Sequence, residues 1–64
     1  MITPEELRQA REAAGLSQAE AAEMVYRKRD TWQKWESGRL ALDPACAEFF
    51  ILKLQLRKMA DSTK

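Results

Sequence analysis

The chain has 64 residues, 11 Lys and Arg against 10 Asp and Glu for a formal net charge of +1, a single cysteine and no histidine. A domain this small buries only roughly 60% of its unfolded surface and is ordinarily reinforced by disulfides, a metal or a second subunit; lone Cys46 and the missing histidine exclude the first two, which leaves oligomerisation. The same inventory argues against an enzyme: Cys46 has no evident base, there is no glycine-rich phosphate loop or metal-ligand cluster, and a bound cofactor or small-molecule substrate is not expected.

Apolar residues recur at spacings of three and four, and the breaks fall at capping residues, so the chain reads as all-α. Helix 1 opens with Thr3-Pro4-Glu5-Glu6, which supplies a capping hydroxyl, a proline at the first helical position and a glutamate at the third. It is expected to end near Ala14, with Gly15 taking the left-handed position beyond it, and Leu7, Ala10 and Ala14 form its apolar stripe. Helix 2 repeats the device at Ser17-Gln18-Ala19-Glu20 and runs to Met24 or Val25, with Ala19, Ala21 and Ala22 small enough for close helix packing. Helix 3 starts near Lys28 or Arg29 and ends at Ser37 before Gly38; Trp32 and Trp35, three apart, share a core face, while Arg29, Asp30, Gln33 and Lys34 lie toward the sides and the opposite face. Helix 4 follows the Asp43-Pro44 cap and continues to Met59 or Ala60, with residues 61–64 expected to fray.

Helix 4 carries more apolar residues than one stripe can use. Ala45, Phe49, Leu52, Leu56 and Met59 are expected to face the core, which leaves Phe50, Ile51 and Leu54 as the surface of a homodimer. Cys46 is expected to be a small buried hydrophobe. The longest apolar run, Phe49 to Leu52, is four residues, far short of the ~20 that span a membrane, so no membrane is expected, and the cysteine usage suits a reducing cytoplasm.

Charge is unevenly distributed. Residues 1 to 26 balance to −3 and residues 40 to 64 to +1, whereas residues 27 to 39, with Arg27, Lys28, Arg29, Lys34 and Arg39 against Asp30 and Glu36, balance to +3. A basic island attracts phosphate within a Debye length of about 8 Å even when the whole chain is near neutral. A helix, a short turn and a second helix rimmed with arginine, lysine and glutamine is the layout of a helix-turn-helix, spanning here about residues 17 to 38.

The runs "GLSQAEAAEMV" and "TWQKWESG" resemble the Cro/repressor (XRE-type) helix-turn-helix family, whose pattern is a Gly-Leu-Ser/Thr-Gln-x-Glu start to the second helix and a Trp-Glu-x-Gly end to the third. The likeness covers about residues 4 to 50, and "TWQKWESGR" with the later Asp-Pro is closest to small phage-encoded regulators, among which the autorepressors of anti-CRISPR operons are one group. The resemblance implies a single lambda-repressor-like domain of four helices over residues 1 to 64, with a C-terminal dimerisation helix at about 43 to 60. It implies base contacts from Arg29, Asp30, Gln33 and Lys34. Arginine suits guanine and glutamine suits adenine; Asp30 could accept from a cytosine amine, steer Arg29 or simply favour the helix N-terminus. Gln18 is implied to reach a phosphate and brace the recognition helix, Arg27, Lys28, Ser37 and Arg39 are candidate phosphate contacts, and Arg11 and Glu36 are implied to form an internal ion pair. The turn departs from the family pattern: Tyr26-Arg27-Lys28 stands where Gly-Val-Ser is usual, which removes the left-handed glycine and the hydroxyl cap and leaves open a longer or reshaped turn.

The expected function is therefore a DNA-binding transcriptional repressor, a homodimer on an inverted repeat that regulates its own operon. The alternative is an antitoxin-like module that masks a partner protein through helix 4, and the oligomeric state of the isolated chain separates the two.

Overall fold

The computed structural model describes residues 2–62 as four helices, α1 (Pro4–Ala13), α2 (Gln18–Met24), α3 (Arg29–Ser37) and α4 (Pro44–Ser62), with no strand among the described residues. Both expected capping boxes form: Thr3 and Glu6 exchange side-chain bonds with each other's backbone at the start of α1, and Ser17 and Glu20 do the same at α2. Asp43 accepts from the Ala45 amide at 3.0 Å ahead of α4. Helix α4 continues past Ala60 through Ser62; the expected fraying at Thr63 and Lys64 lies outside the described residues.

Helices α1, α2 and α3 end in the same way. An amide just past each helix bonds back five residues, Leu16 to the Arg11 carbonyl, Arg27 to that of Ala22 and Arg39 to that of Lys34, at 3.1, 2.9 and 3.0 Å. This closure needs one residue in the left-handed region. Gly15 (φ 72°) and Gly38 (φ 79°) provide it after α1 and α3, and Tyr26 (φ 59°) provides it after α2. The turn of the helix-turn-helix thus retains its left-handed position without the glycine, at a cost of about 1 to 2 kcal/mol for a residue that carries a Cβ.

The core is built from Leu7 of α1, Ala21 and Ala22 of α2, Val25, Trp32 and Trp35 of α3, and Cys46, Ala47 and Phe50 of α4. Trp32 is its centre, meeting Trp35 and Phe50 edge-to-face with centroids 5.8 and 4.8 Å away. Ala21 and Ala22 of α2 let α3 pack closely against it, whereas Ala19, expected to share that role, is exposed on the other side of the helix.

The expected faces of α4 are reversed. Phe50 is fully buried against Trp32, and Ile51 and Leu54 pack partly against the core, so these three do not form an open dimer surface. Phe49, Leu52, Leu56 and Met59, together with Ala45, lie exposed instead. At 100° per residue, positions 46, 47, 50, 51 and 54 form one apolar stripe and 49, 52, 56 and 59 a second. Trp32 packs against the first.

Candidate nucleic-acid interface

The short helix α3 divides along its length. Trp32 and Trp35 are buried, whereas Arg29, Asp30, Gln33, Lys34 and Ser37 are exposed on the other side. Asp30, Gln33, Lys34, Ser37 and Arg39 together line a shallow polar groove. Among the described residues no hydrogen bond or ion pair holds the Arg29, Gln33 or Lys28 side chain. Asp30 instead meets Lys34 one turn later at 3.7 Å. The pair is exposed and worth only a few tenths of a kcal/mol, and it leaves the Arg29 guanidinium unengaged at the helix N-terminus.

The flanking cations are less uniform than their spacing suggests. Lys28 is the N-cap of α3, and its side chain makes no capping bond, because an ammonium has no acceptor to offer the free amides. The Arg27 guanidinium approaches the Asp43 carboxylate at 3.9 Å, with both side chains half exposed. The Ser37 hydroxyl donates to the Lys34 carbonyl at 3.2 Å, and Arg39 follows the Gly38 turn with its side chain exposed.

Behind the exposed face lies a polar knot centred on Glu36, whose side chain is only 6% exposed. Arg11 of α1 donates to both carboxylate oxygens, from Nε at 2.7 Å and from Nη2 at 3.1 Å. The Gln18 amide donates at 3.1 Å, and the Trp32 indole N–H donates as well. The remaining Arg11 nitrogen donates to the Leu16 carbonyl at 2.9 Å. The implied Arg11 and Glu36 pair is present, and Gln18 is placed as the implied brace. Burial pushes the Glu36 carboxyl upward, but the bonds from Arg11, Trp32 and Gln18 outweigh it and leave the group below its usual range. One carboxylate therefore fastens α1, α2 and α3 together and fixes how α3 presents its outer face.

Two contacts lie outside the expectations drawn from the sequence. Trp32 and Glu36 are four apart on a helix, a spacing that brings side chains together, so their bond was discoverable in principle. The Lys53 ammonium donates to the Met24 carbonyl at the end of α2, at 2.7 Å, and lies over the Tyr26 and Phe49 rings at 4.6 and 4.7 Å. Nothing in the local sequence announces a contact across 29 positions.

A capped helix, a turn closed by a left-handed residue, and a second helix with one buried and one polar, cation-bearing face define a helix-turn-helix. The helix-turn-helix domain family matches residues 5–49, and the chain belongs to it. The chain is also 38% identical over 54 residues to the type II methyltransferase M.MspI of a Moraxella species; the match covers 84% of this chain and 13% of the methyltransferase. No helix among the described residues is long and apolar enough to cross a membrane.

Proposed function

We propose that the protein is a sequence-specific transcriptional repressor that binds an inverted repeat as a homodimer and occludes a promoter, that of its own operon. The observation that carries the reading is α3, whose two tryptophans are buried while Arg29, Gln33, Asp30 and Lys34 are held outward by the Glu36 knot. In the major groove Arg29 donates to the two acceptors of guanine and Gln33 pairs with adenine. Lys28, Arg27, Arg39, Ser37 and the first turn of α2 at Gln18 grip phosphates and set the register. Repression by occlusion requires no chemistry from the chain, and the repressor works in the cytoplasm, where operator DNA is. A phage operon, with an anti-CRISPR operon as the particular case, is supported by the "TWQKWESGR" run alone.

The experiment is nuclease protection of the DNA upstream of the gene. Protection of two half-sites about one helical turn apart, ~34 Å, is expected; uniform weak protection that vanishes with added salt would show phosphate binding without readout and overturn the proposal.

A further inference from the structure

The body of α3 is fixed by buried Trp32 and Trp35 and by the bonds that converge on Glu36. Its first turn has no such anchor of its own. Lys28 stands at the N-cap and makes no capping bond, so the free amides that follow lack the side-chain acceptor that usually orders a helix start. Arg27 is tied only loosely, to Asp43 at 3.9 Å with both side chains half exposed. The path of residues 27 to 29 is therefore set from the other side, at the end of α2.

At that end the Ala22 carbonyl accepts from the Val25 and Arg27 amides, and the Glu23 carbonyl accepts from the Tyr26 amide. The Met24 carbonyl accepts from Lys53 of α4 instead. The last turn of α2 carries Glu23 and no cation, so the Lys53 ammonium is also the positive charge that a helix C-terminus favours. The same ammonium lies 4.6 Å from the centre of the Tyr26 ring and 4.7 Å from that of Phe49, close enough for attraction to both ring faces. The two rings stack on each other with centroids 6.2 Å apart. One side chain thus fastens the carbonyl two residues ahead of Tyr26 and the Tyr26 ring itself. Tyr26 holds φ at 59°, a conformation that a residue with a Cβ resists, and what keeps it there reaches in from another helix.

We infer that Lys53 is a positioning residue for DNA recognition: docked on Met24 and Tyr26, it sets where Arg27, Lys28 and Arg29 meet the DNA without touching DNA itself. The inference deepens the DNA-binding reading above and rests on it. Arg27, Lys28 and the first residue of α3, Arg29, follow directly after Tyr26, so a rotation of the Tyr26 backbone redirects all three while the tryptophans hold the rest of the helix. A bidentate contact to a base edge tolerates little such movement, whereas attraction to phosphate tolerates more. Lys53 also differs from the cations of the outer face. Its ammonium is committed to a carbonyl and two rings inside its own chain, while no hydrogen bond or ion pair holds the Lys28 or Arg29 side chain among the described residues.

The test is Lys53→Met in the full chain, which keeps an unbranched apolar side chain and removes the ammonium, with circular dichroism to confirm that the variant remains helical. Binding is measured to the upstream duplex that nuclease protection delimits and to a random-sequence duplex of the same length. Affinity for the protected duplex is expected to fall about 10-fold, while affinity for the random duplex and its salt slope stay as they were, because every phosphate-facing cation is still present. A salt slope lowered by about 1 on both duplexes would make Lys53 a phosphate contact and overturn the inference. In a Tyr26→Gly background, where glycine takes the left-handed angle unaided, Lys53→Met is expected to cost no more than about 2-fold. A loss as large as in the Tyr26 background would mean a general loosening of α4 and would also overturn it. In the free protein the amide resonances of Arg27, Lys28 and Arg29 are expected to move in Lys53→Met while the Trp32 and Trp35 indole resonances stay in place; unmoved amides sink the inference whether or not DNA is bound. Equal losses on the two duplexes fail this inference alone, whereas absent protection by the unmodified protein fails the repressor reading and this one with it.

Discussion

The indole N–H of Trp32, at the centre of the core, donates to the Glu36 carboxylate one turn further along the same helix. This bond satisfies the only polar atom of the largest buried side chain and fixes the carboxylate that also receives Arg11 and Gln18. Core packing and the orientation of the recognition face are therefore one arrangement, and a change at Glu36 affects both.

Glu36→Gln preserves shape but removes the charge that Arg11 faces at 13% side-chain exposure. A loss of roughly 3 kcal/mol is expected, toward the low end for a broken buried pair, measured as a lower urea midpoint at neutral pH. The Glu36 group lies below its ordinary value of 4.5 in the folded state. Its contribution is thus present above that value and is lost as pH falls through the lower folded value. Glu6 and Glu20, lowered first by the backbone amides of Thr3 and Ser17, shift stability in the same direction. The unmodified protein should weaken below about pH 4.5, and its advantage over Glu36→Gln should shrink over the same range. A constant difference from about pH 7 to about pH 3 would contradict this.

Tyr26 supports a left-handed turn with a Cβ in place. Replacement by alanine removes the stack on Phe49 and the Lys53 contact but retains the strain, whereas glycine removes both. Tyr26→Gly is expected to be more stable than Tyr26→Ala by about 1 kcal/mol, the reverse of their order inside a helix. Thermal or urea unfolding of the two variants checks the order.

Lys28 caps α3 without a capping bond. Lys28→Ser supplies the missing acceptor and should raise stability by about 1 kcal/mol. It should also weaken binding to all DNA sequences alike and reduce the slope of log affinity against log salt by about 1. Gain in one measurement and loss in the other would mark this residue as retained for phosphate.

Arg29 projects from the N-terminus of α3 with no partner among the described residues. Arg29→Ala should cost about 1 to 3 kcal/mol on the operator and relax preference at one base pair of each half-site, with a much smaller effect on unrelated DNA. Competition binding measures this; equal losses on both DNAs would make Arg29 a phosphate contact.

Local chemistry wrote most of this fold into the sequence. Hydroxyl and glutamate at fixed spacing set the starts of α1 and α2, Gly15 and Gly38 set the ends of α1 and α3, and two tryptophans three apart chose the buried side of α3, because each of these acts within one helical turn. The Arg11 and Glu36 pair was legible only through resemblance to a family, since the two lie 25 positions apart. The sequence could not rank the two apolar stripes of α4, which are comparably hydrophobic and both helical in period. Tertiary structure decided between them: Phe50 fills the space beside Trp32 and leaves Phe49, Leu52, Leu56 and Met59 outside. It likewise placed Tyr26 in a conformation its side chain disfavours, where the end of α2, the Phe49 ring and the Lys53 ammonium hold it from three sides. Such choices rest on what each residue meets across the fold, and that is information no window along the chain contains.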